Sequence, residues 1–147
     1  MFKHILVPTD GSTLSLRAAK NAVRFAKVHG ARITAFYAAP EYHPNISGDY
    51  MPANFVPLAE FKKQIQKTAD KYLGQVNKLA AVGKVRCTAS YVSSDSPYQA
   101  IIKAAKAGKC DLIFMASHGR SGITGLLIGS ETNKVLTHCK LPVLVYR

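Results

Sequence analysis

Two segments of the sequence combine glycines with hydroxyl and carboxylate side chains, the residue types that surround phosphate groups in proteins. The first is 7–12, Val-Pro-Thr-Asp-Gly-Ser, and the second is 116–130, with glycines at 119, 122, 125 and 129. Glycine lets the backbone approach an anion closely, and free N–H groups at a helix start near Ser130 add positive dipole. The second segment therefore suits phosphate. The alternative is a glycine-rich loop in which Ser130 serves only as a helix N-cap.

Dedicated catalysis is not indicated beside these segments. Nucleotide hydrolysis needs mutually positioned groups, and His118 is the only obvious base. The sequence contains no G-x-x-x-x-G-K-[ST] loop, no G-x-G-x-x-G after a strand and no G-x-S-x-G nucleophile elbow. We therefore assign no catalytic residue and leave only slow ATP hydrolysis open.

Cysteine usage indicates neither a disulfide framework nor a metal site. Cys87, Cys110 and Cys139 are widely spaced and form no C-x-x-C pair. His138 precedes Cys139 directly, but adjacent residues point in different directions and chelate poorly. No apolar stretch approaches the roughly 18 to 20 residues of a membrane span, and the N-terminal apolar run is too short for a signal peptide. We expect a cytoplasmic protein with no membrane association.

The charge balance favours anionic partners without naming one. Lys and Arg number 20 against 8 Asp and Glu, a formal net charge of +12. The basic residues between Arg17 and Lys27 recur every three or four positions, opposite alanines and a valine, as on a solvated face of an amphipathic helix. No zinc finger, RNA-recognition strand pair or Trp is present, so nucleic-acid association is only an alternative.

Strands and helices alternate along the chain, and this alternation positions the two polar segments. Because the strands are apolar on both faces, it predicts a mostly parallel sheet with helices on both sides and one domain, 1–147. In such a sheet, ligands bind beyond the carboxyl ends of the strands, where strand order reverses. The predicted strands are 2–7, 32–39, 85–92, 112–115 and 143–146, and the predicted helices are 13–29, 58–82, 97–107 and 130–138.

Local signals mark several boundaries of these elements. Gly30 is a left-handed C-cap, and Ser96-Pro97-Tyr98-Gln99 has the pattern of a capping box with proline at the first helical position. The segment 40–57 contains four of the prolines and little periodicity, which predicts a long loop. A loop of this length is typically a lid, a binding loop or locally disordered.

Taken in order, the motifs resemble those of the universal stress protein family over essentially the whole chain. They are 7–12 after the first strand, Ser-His-Gly-Arg-Ser-Gly at 117–122 after the fourth, Gly129-Ser130, and the final Leu-Pro-Val-Leu-Val-Tyr at 141–146. The resemblance implies an open five-stranded parallel sheet of Rossmann-like, adenine nucleotide hydrolase-like architecture. It also implies a homodimer paired through the last strand, 143–146.

Nucleotide-binding members of that family carry G-x-x-G, nine residues, then G-[ST]. Gly119, the nine residues 120–128 and Gly129-Ser130 match the second half of this motif, but Ala116 replaces its first glycine. The extra methyl group matters if the backbone there needs a positive φ, or if ribose or phosphate packs against that Cα.

The resemblance assigns a set of binding residues. Pro8, Thr9, Asp10 and the backbone near Ala38 would surround the adenosine, and Met115 and Ala116 would line the ribose side. The phosphates would lie among Gly119, Arg120, Gly129, Ser130, Glu131 and Thr132.

Several of these residues have other interpretations. Met115 fills gaps well and could be core, and Arg120 could be a surface cation, although its guanidinium suits phosphate. Asp10 could contact ribose, help hold Mg2+ or cap the first helix. Glu131 is favoured near a helix N-terminus with or without ligand and could repel phosphate.

The resemblance thus implies a universal stress protein that binds ATP, ADP or AMP, with or without Mg2+, between the first-strand loop and the glycine-rich loop. Nucleotide occupancy would set a dimer or partner surface during a stress response. Two alternatives stay open: a nucleotide-free dimeric interaction module in which Ala116 closes the pocket, and a basic nucleic-acid-associated protein.

Overall fold

The computed structural model describes residues 1–49, 51–120 and 127–147, so residues 121–126 of the predicted glycine-rich segment 116–130 lie outside the described residues. Within these ranges no helix is long and apolar enough to cross a bilayer. The elements are β1 (His4–Pro8), α1 (Thr13–His29), β2 (Arg32–Ala39), α2 (Leu58–Gly83), β3 (Cys87–Ser93), α3 (Pro97–Ala107), β4 (Leu112–Ala116), α4 (Ser130–His138) and β5 (Val143–Tyr146).

The five strands form one parallel sheet in the order β3-β2-β1-β4-β5, which confirms the predicted fold. β1 lies beside β2, with Val7 opposite Ala35, and on its other side beside β4, with Ile5 opposite Leu112. The chain therefore builds outward from β1 in both directions, and strand order reverses between β1 and β4. The two polar segments leave the carboxyl ends of these two central strands, as predicted.

Each face of the sheet has its own hydrophobic core. Ile5 and Val7 of β1 pack with α1 and α2 in one core, whereas Leu6 packs with α3 and α4 in the other. Side chains alternate between the faces of a strand, so a strand covered on both faces must be apolar throughout. This explains why β1 and β4 are buried along their whole length.

Hydrogen bonds at the ends of α1 agree with the local sequence signals. The Ser12 hydroxyl accepts from Ser15 N at 3.2 Å, and Gly30 is left-handed with φ 64°. α2 runs one residue further than predicted, because Lys84 rather than glycine takes the left-handed C-cap conformation, with φ 57°. β1 begins at His4, two residues later than predicted, and the Asp111 carboxylate accepts from Lys3 N, just before the strand, and from His4 N, its first residue.

The predicted capping box at the start of α3 is wrong, although Pro97 is the first helical residue as predicted. The Ser96 side chain makes no capping hydrogen bond. Instead, Glu131 Oε2 from α4 accepts from Tyr98 N at 2.9 Å. A carboxylate from another helix has replaced the local cap, because α3 and α4 pack on the same face of the sheet.

The long segment between β2 and α2 is a loop anchored on α2. The Tyr42 hydroxyl donates to Val56 O at 2.7 Å, and its ring centroid lies 5.2 Å from that of Phe61. Closure of this segment over a ligand stays a prediction.

Candidate ligand-binding site

A cleft of about 320 Å³ opens at the carboxyl ends of β1 and β4, where strand order reverses. All the residues predicted for the site except Arg120 line it. The lining residues are Pro8, Thr9, Asp10, Ser15, Phe36, Ala38, Pro97, Ile101, Met115, Ala116, His118, Gly119, Gly129, Ser130, Glu131 and Thr132.

Part of the cleft lining is apolar. It is formed by Phe36 and Ala38 from β2, Pro97 and Ile101 from α3, and Met115 from β4. Phe36, Pro97 and Ile101, like Ser15 beside Thr9, were not predicted as site residues. Their sequence pattern is that of ordinary core and cap positions, so no local signal distinguishes them. Apolar lining with a few polar groups is typical of small-molecule sites.

Most polar groups of the first-strand loop make hydrogen bonds within the loop or to the adjacent β2 and α1. The Thr9 hydroxyl is 3.2 Å from the Ser15 hydroxyl and accepts from Gly11 N at 3.2 Å. Thr9 N donates to Phe36 O at 2.8 Å, which ties the loop to β2. These bonds hold the loop in a fixed shape at the cleft.

Asp10 joins the two polar segments. Its Oδ1 accepts from Ser12 N at 3.0 Å, and its Oδ2 accepts from Arg120 N at 2.7 Å. Burial raises the pKa of Asp10, but hydrogen bonds from Ser12, Arg120 and Ser15 outweigh burial and hold it below its ordinary value. Asp10 is therefore a carboxylate at neutral pH. The α1 N-cap is Ser12, so the interpretation of Asp10 as the cap of that helix is wrong.

The start of α4 forms another part of the lining. Gly129 is the N-cap residue, which corrects the interpretation of Ser130 as the N-cap. Gly129 N donates to Ser117 O at 2.7 Å, and the Thr132 hydroxyl donates to Ala116 O at 3.0 Å. Within the ranges the structure describes, no side chain accepts from the N–H groups of Ser130, Glu131 or Thr132. Such an uncapped helix start favours an anion.

Glu131 lines the cleft at the start of α4, but both of its carboxylate oxygens accept hydrogen bonds from other groups of the protein. Oε2 accepts from Tyr98 N, and Oε1 accepts from Lys134 Nζ at 2.9 Å. The hydrogen bond and charge of Glu131 raise the pKa of Lys134. The repulsion that Glu131 would exert on a phosphate is thereby reduced.

Arg120 is the predicted residue that does not line the cleft. Its Cζ atom lies 5.0 Å from the centroid of the Tyr72 ring on α2, a cation–π distance. Only its backbone N–H, through the bond to Asp10, belongs to the frame of the site.

Ala116, at the end of β4, carries no backbone strain. The non-glycine residues with positive φ in the described parts of the chain are Lys84 and Lys109. The first condition under which the methyl group would matter, a positive φ, therefore does not hold. Ala116 is 7% exposed and lines the cleft, so its methyl group acts only through the space it fills.

His118 also lines the cleft, with its Nδ1 3.1 Å from the Ser117 hydroxyl. Ser117 is 1% exposed, so this hydroxyl is a buried partner that orients the imidazole. The contact gives His118 a structural role that needs no catalytic one.

The fold and the cleft together define a doubly wound α/β domain with a cleft at the switch point of its parallel sheet. The family model of the universal stress protein family matches residues 1–147. The chain belongs to the universal stress protein family, which confirms the resemblance drawn from its motifs.

Relatives are similar over the whole chain. A universal stress protein of Thermus aquaticus is 33% identical over 147 residues, covering 100% of both chains. One from Methanocaldococcus jannaschii is 32% identical over 149 residues, covering 100% of this chain and 83% of the relative.

Solved structures share the fold. Protein MJ0577 superimposes with a TM-score of 0.81 at 25% identity, covering 99% of this chain and 95% of that one. A universal stress protein in complex with cAMP has a TM-score of 0.72 at 26% identity, covering 99% and 97%. One from Archaeoglobus fulgidus in complex with dAMP has a TM-score of 0.71 and covers 100% and 98%, but at 13% identity it shows the fold alone.

Proposed function

We propose that this protein binds an adenine nucleotide, ATP in the first place and ADP or AMP in the second, in the cleft at the ends of β1 and β4. The observation that carries the proposal is that this single cleft combines apolar lining residues with an uncapped helix N-terminus. A nucleotide has the matching chemistry, with an apolar aromatic base at one end and phosphates at the other. The related protein in complex with cAMP supports the adenine base.

The proposed pose follows the chemistry of the lining. The base lies against Phe36, Ile101 and Met115, and the phosphates lie at Gly129 and Ser130, where the first N–H groups of α4 are free of side-chain acceptors. The ribose lies between them, beside Asp10. Asp10 Oδ1 accepts from Ser12 N and Oδ2 accepts from Arg120 N, and a ribose hydroxyl would be a further donor to this carboxylate.

Mg2+ would bind the phosphates. Asp10, the ionised carboxylate of the first-strand loop, would be a ligand for it. Arg120 would have to leave Tyr72 to contact the phosphates, at a cost of about 0.5–1 kcal/mol for an exposed cation–π contact. Arg120 is then a contact made on binding, whereas its backbone N–H is already bonded to Asp10.

Calorimetric titration tests the proposal. Protein freed of bound ligand by unfolding and refolding is titrated with ATP, ADP, AMP, GTP and pyrophosphate, each with and without Mg2+, at about 0.15 M salt to screen the basic surface. We expect saturable binding of adenine nucleotides in preference to GTP and pyrophosphate. Equal weak binding of all five, or none, would overturn the proposal and favour the nucleotide-free interaction module.

A matched pair of glycine variants locates the binding. A Cβ at Gly129 would lie 3.0 Å from His118 Cβ, whereas a Cβ at Gly74 on α2 meets nothing within 4 Å. Gly129→Ala should weaken ATP binding about tenfold, equivalent to about 1.4 kcal/mol, and Gly74→Ala should leave it unchanged. Ala116→Gly should bind ATP about as tightly as the parent, because the alanine backbone is unstrained.

We further propose that nucleotide occupancy sets the surface of a homodimer paired through β5, in the cytoplasm. β5 is an edge strand whose four residues are all half-buried, leaving its outer edge open to a second copy.

The cysteines support the proposed compartment. Cys87, Cys110 and Cys139 are free, as a reducing cytoplasm keeps them, and burial raises the pKa of the Cys110 thiol to about 11.

Sedimentation velocity tests the dimer. Val145 packs in neither core, so Val145→Lys should fold and place a charge on the edge strand. We expect a dimer for the parent and a monomer for this variant, with the far-UV spectrum unchanged. A monomeric parent, or a variant that stays dimeric, would contradict pairing through β5.

A further inference from the structure

Three chemistry-bearing side chains outside the cleft converge beyond the carboxyl ends of β2 and β3. Glu41 and His43 follow β2, and Asp95 follows β3. Each offers a ligand atom, and these atoms lie within 4.8 Å of one another, with His43 Nε2 2.5 Å from Asp95 Oδ2. All three residues are exposed, so their side chains can adjust around an ion. Among the described residues, this is the cluster of at least three such side chains that meets these distances.

Hydrogen bonds between the two loops bring the three residues together in the absence of an ion. Glu41 N donates to Asp95 Oδ1 at 3.2 Å, joining the two loops. Tyr42, between Glu41 and His43, turns to Val56 and Phe61 on the α2 side. Glu41 and His43, which flank Tyr42 in the sequence, lie on the side of Asp95. Anchoring of this kind reduces the entropy lost when the ligands gather.

In the described part of the chain, the carboxylates of this cluster are not paired with Lys or Arg. Among the described residues, no Lys or Arg lies within 4.0 Å of the carboxylates of Glu41 or Asp95, and His43 is the ion-pair partner of Asp95. No basic side chain in contact with them therefore has to be displaced when a cation binds.

We propose that Glu41, His43 and Asp95 form a binding site for a divalent transition cation of the zinc type. One imidazole nitrogen and two carboxylate oxygens suit zinc and its neighbours, whereas Mg2+ and Ca2+ prefer oxygen ligands alone. Bonds of about 2.0–2.2 Å need a small inward movement of the three side chains. The ion takes the place of the hydrogen bond between His43 and Asp95, and water completes its coordination.

The site is separate from the nucleotide cleft but lies on its rim. None of its three ligands lines the cleft, yet Ala38 and Pro97, which do, lie three residues before Glu41 and two residues after Asp95. A bound cation therefore joins Glu41 and His43, at the start of the segment 40–57, to Asp95 in the turn before α3. This segment is the long loop that the sequence marks as a lid or binding loop.

Zinc titration of the full chain, without a polyhistidine tag and without nucleotide, tests the site. Calorimetry should show one Zn2+ per chain, and the ring signals of His43 in proton–nitrogen spectra should shift before those of the other histidines. His43→Gln and Asp95→Asn should each weaken binding about tenfold or more. Both positions are exposed, and Asn retains the acceptor for Glu41 N, so both variants should fold as the parent does.

His138→Gln is the matched control, because His138 is an exposed histidine outside the cluster and is followed directly by Cys139, another potential zinc ligand. It should bind zinc as tightly as the parent. Three results would each overturn the proposal: no saturable zinc binding, parental affinity in His43→Gln, or loss of binding in His138→Gln. None of them bears on nucleotide binding, which the adenine titration tests by itself.

Discussion

At the scale of single residues, two glycines set how closely the polar loops approach their neighbours. Gly11 has φ +73°, and a Cβ there would overlap the Tyr72 ring of α2. A Cβ at Gly119 would overlap Asp10 Oδ2, the atom that accepts from Arg120 N. Both loops therefore depend on the absence of a side chain, the first for conformation as well as space.

Alanine at Gly30 and at Gly11, two positions with left-handed backbone, should separate conformational strain from steric overlap. Gly30→Ala should cost about 1–2 kcal/mol of unfolding free energy, because Gly30 has φ +64° and nothing lies within 4 Å of its Cβ position. Gly11→Ala carries the same strain and also displaces Tyr72, so it should cost about 1–3 kcal/mol more. Urea unfolding of the two variants measures the difference. Equal losses would mean that Tyr72 moves aside freely.

At the scale of elements, the start of α3 depends on a residue of α4. Glu131 Oε2 accepts from Tyr98 N, where the local Ser96 makes no capping bond. A carboxylate near a helix N-terminus is stabilised by the free N–H groups and by the dipole of the helix. One side chain thus joins the two helices that cover the same face of the sheet.

Loss of this carboxylate should destabilise the fold by the amount typical of a lost cap. Glu131→Ala should lower the free energy of unfolding by about 0.5–2 kcal/mol in urea titrations. Glu60→Ala is the control, because Glu60 is exposed in the first turn of α2 and contacts Gln64 at the limiting distance of 3.5 Å. Similar losses in the two variants would argue against Glu131 as the cap of α3.

The amino ends of β1 and β2 meet around a buried histidine. His4 Nδ1 lies 3.2 Å from an Arg32 guanidinium nitrogen, which can only donate, so Nδ1 accepts. His4 Nε2 then carries the proton and donates to the Thr34 hydroxyl at 2.7 Å. Burial, and then the charge of Arg32, hold the pKa of His4 below its ordinary value of 6.5.

This lowered pKa predicts a loss of stability in mild acid. Between pH 6.5 and the lower pKa of the folded state, the unfolded chain binds the proton and the folded chain does not. Stability from this group is complete above 6.5 and decreases as the pH falls through that window. Urea midpoints measured from pH 8 downward should show the decrease in the parent. His4→Gln, which does not titrate, should show less of it, and identical profiles would contradict the assignment.

At the scale of the whole molecule, the cleft exists only in the folded state. Its lining comes from β1, α1, β2, α3, β4 and α4 and the loops between them, so no fragment of the chain assembles it. A ligand of this cleft must therefore bind the folded chain in preference to the unfolded one. Binding and global stability are linked for this reason.

The linkage predicts a thermal shift. ATP at one hundred times its dissociation constant should raise the free energy of unfolding by about 2.7 kcal/mol. For a chain of this size, that corresponds to an increase in melting temperature of about 5–10 °C. Differential scanning calorimetry with ATP, and with GTP at the same concentration as the control, measures it. A shift of the same size with GTP would indicate general anion binding.

Much of the fold was predictable because its signals are local. Gly30, the helical periodicity of 13–29 and the apolar strands determine the elements, and alternation of strand and helix determines a parallel sheet. The same rules place both polar segments at the carboxyl ends of the central strands. Most of the site followed from these segments, since a loop at a switch point must border the cleft.

The rest depended on which distant residues the tertiary structure brings together. Phe36 and Ile101 belong to the cleft only because β2 and α3 pack beside β1 and β4. Side-chain direction at Arg120 is decided by Tyr72, far away along the chain. The convergence of His43 with Asp95 likewise arises from the parallel register of β2 and β3. Periodicity and caps are properties of neighbouring residues, whereas contacts across a sheet depend on strand order and register, which only the folded chain specifies.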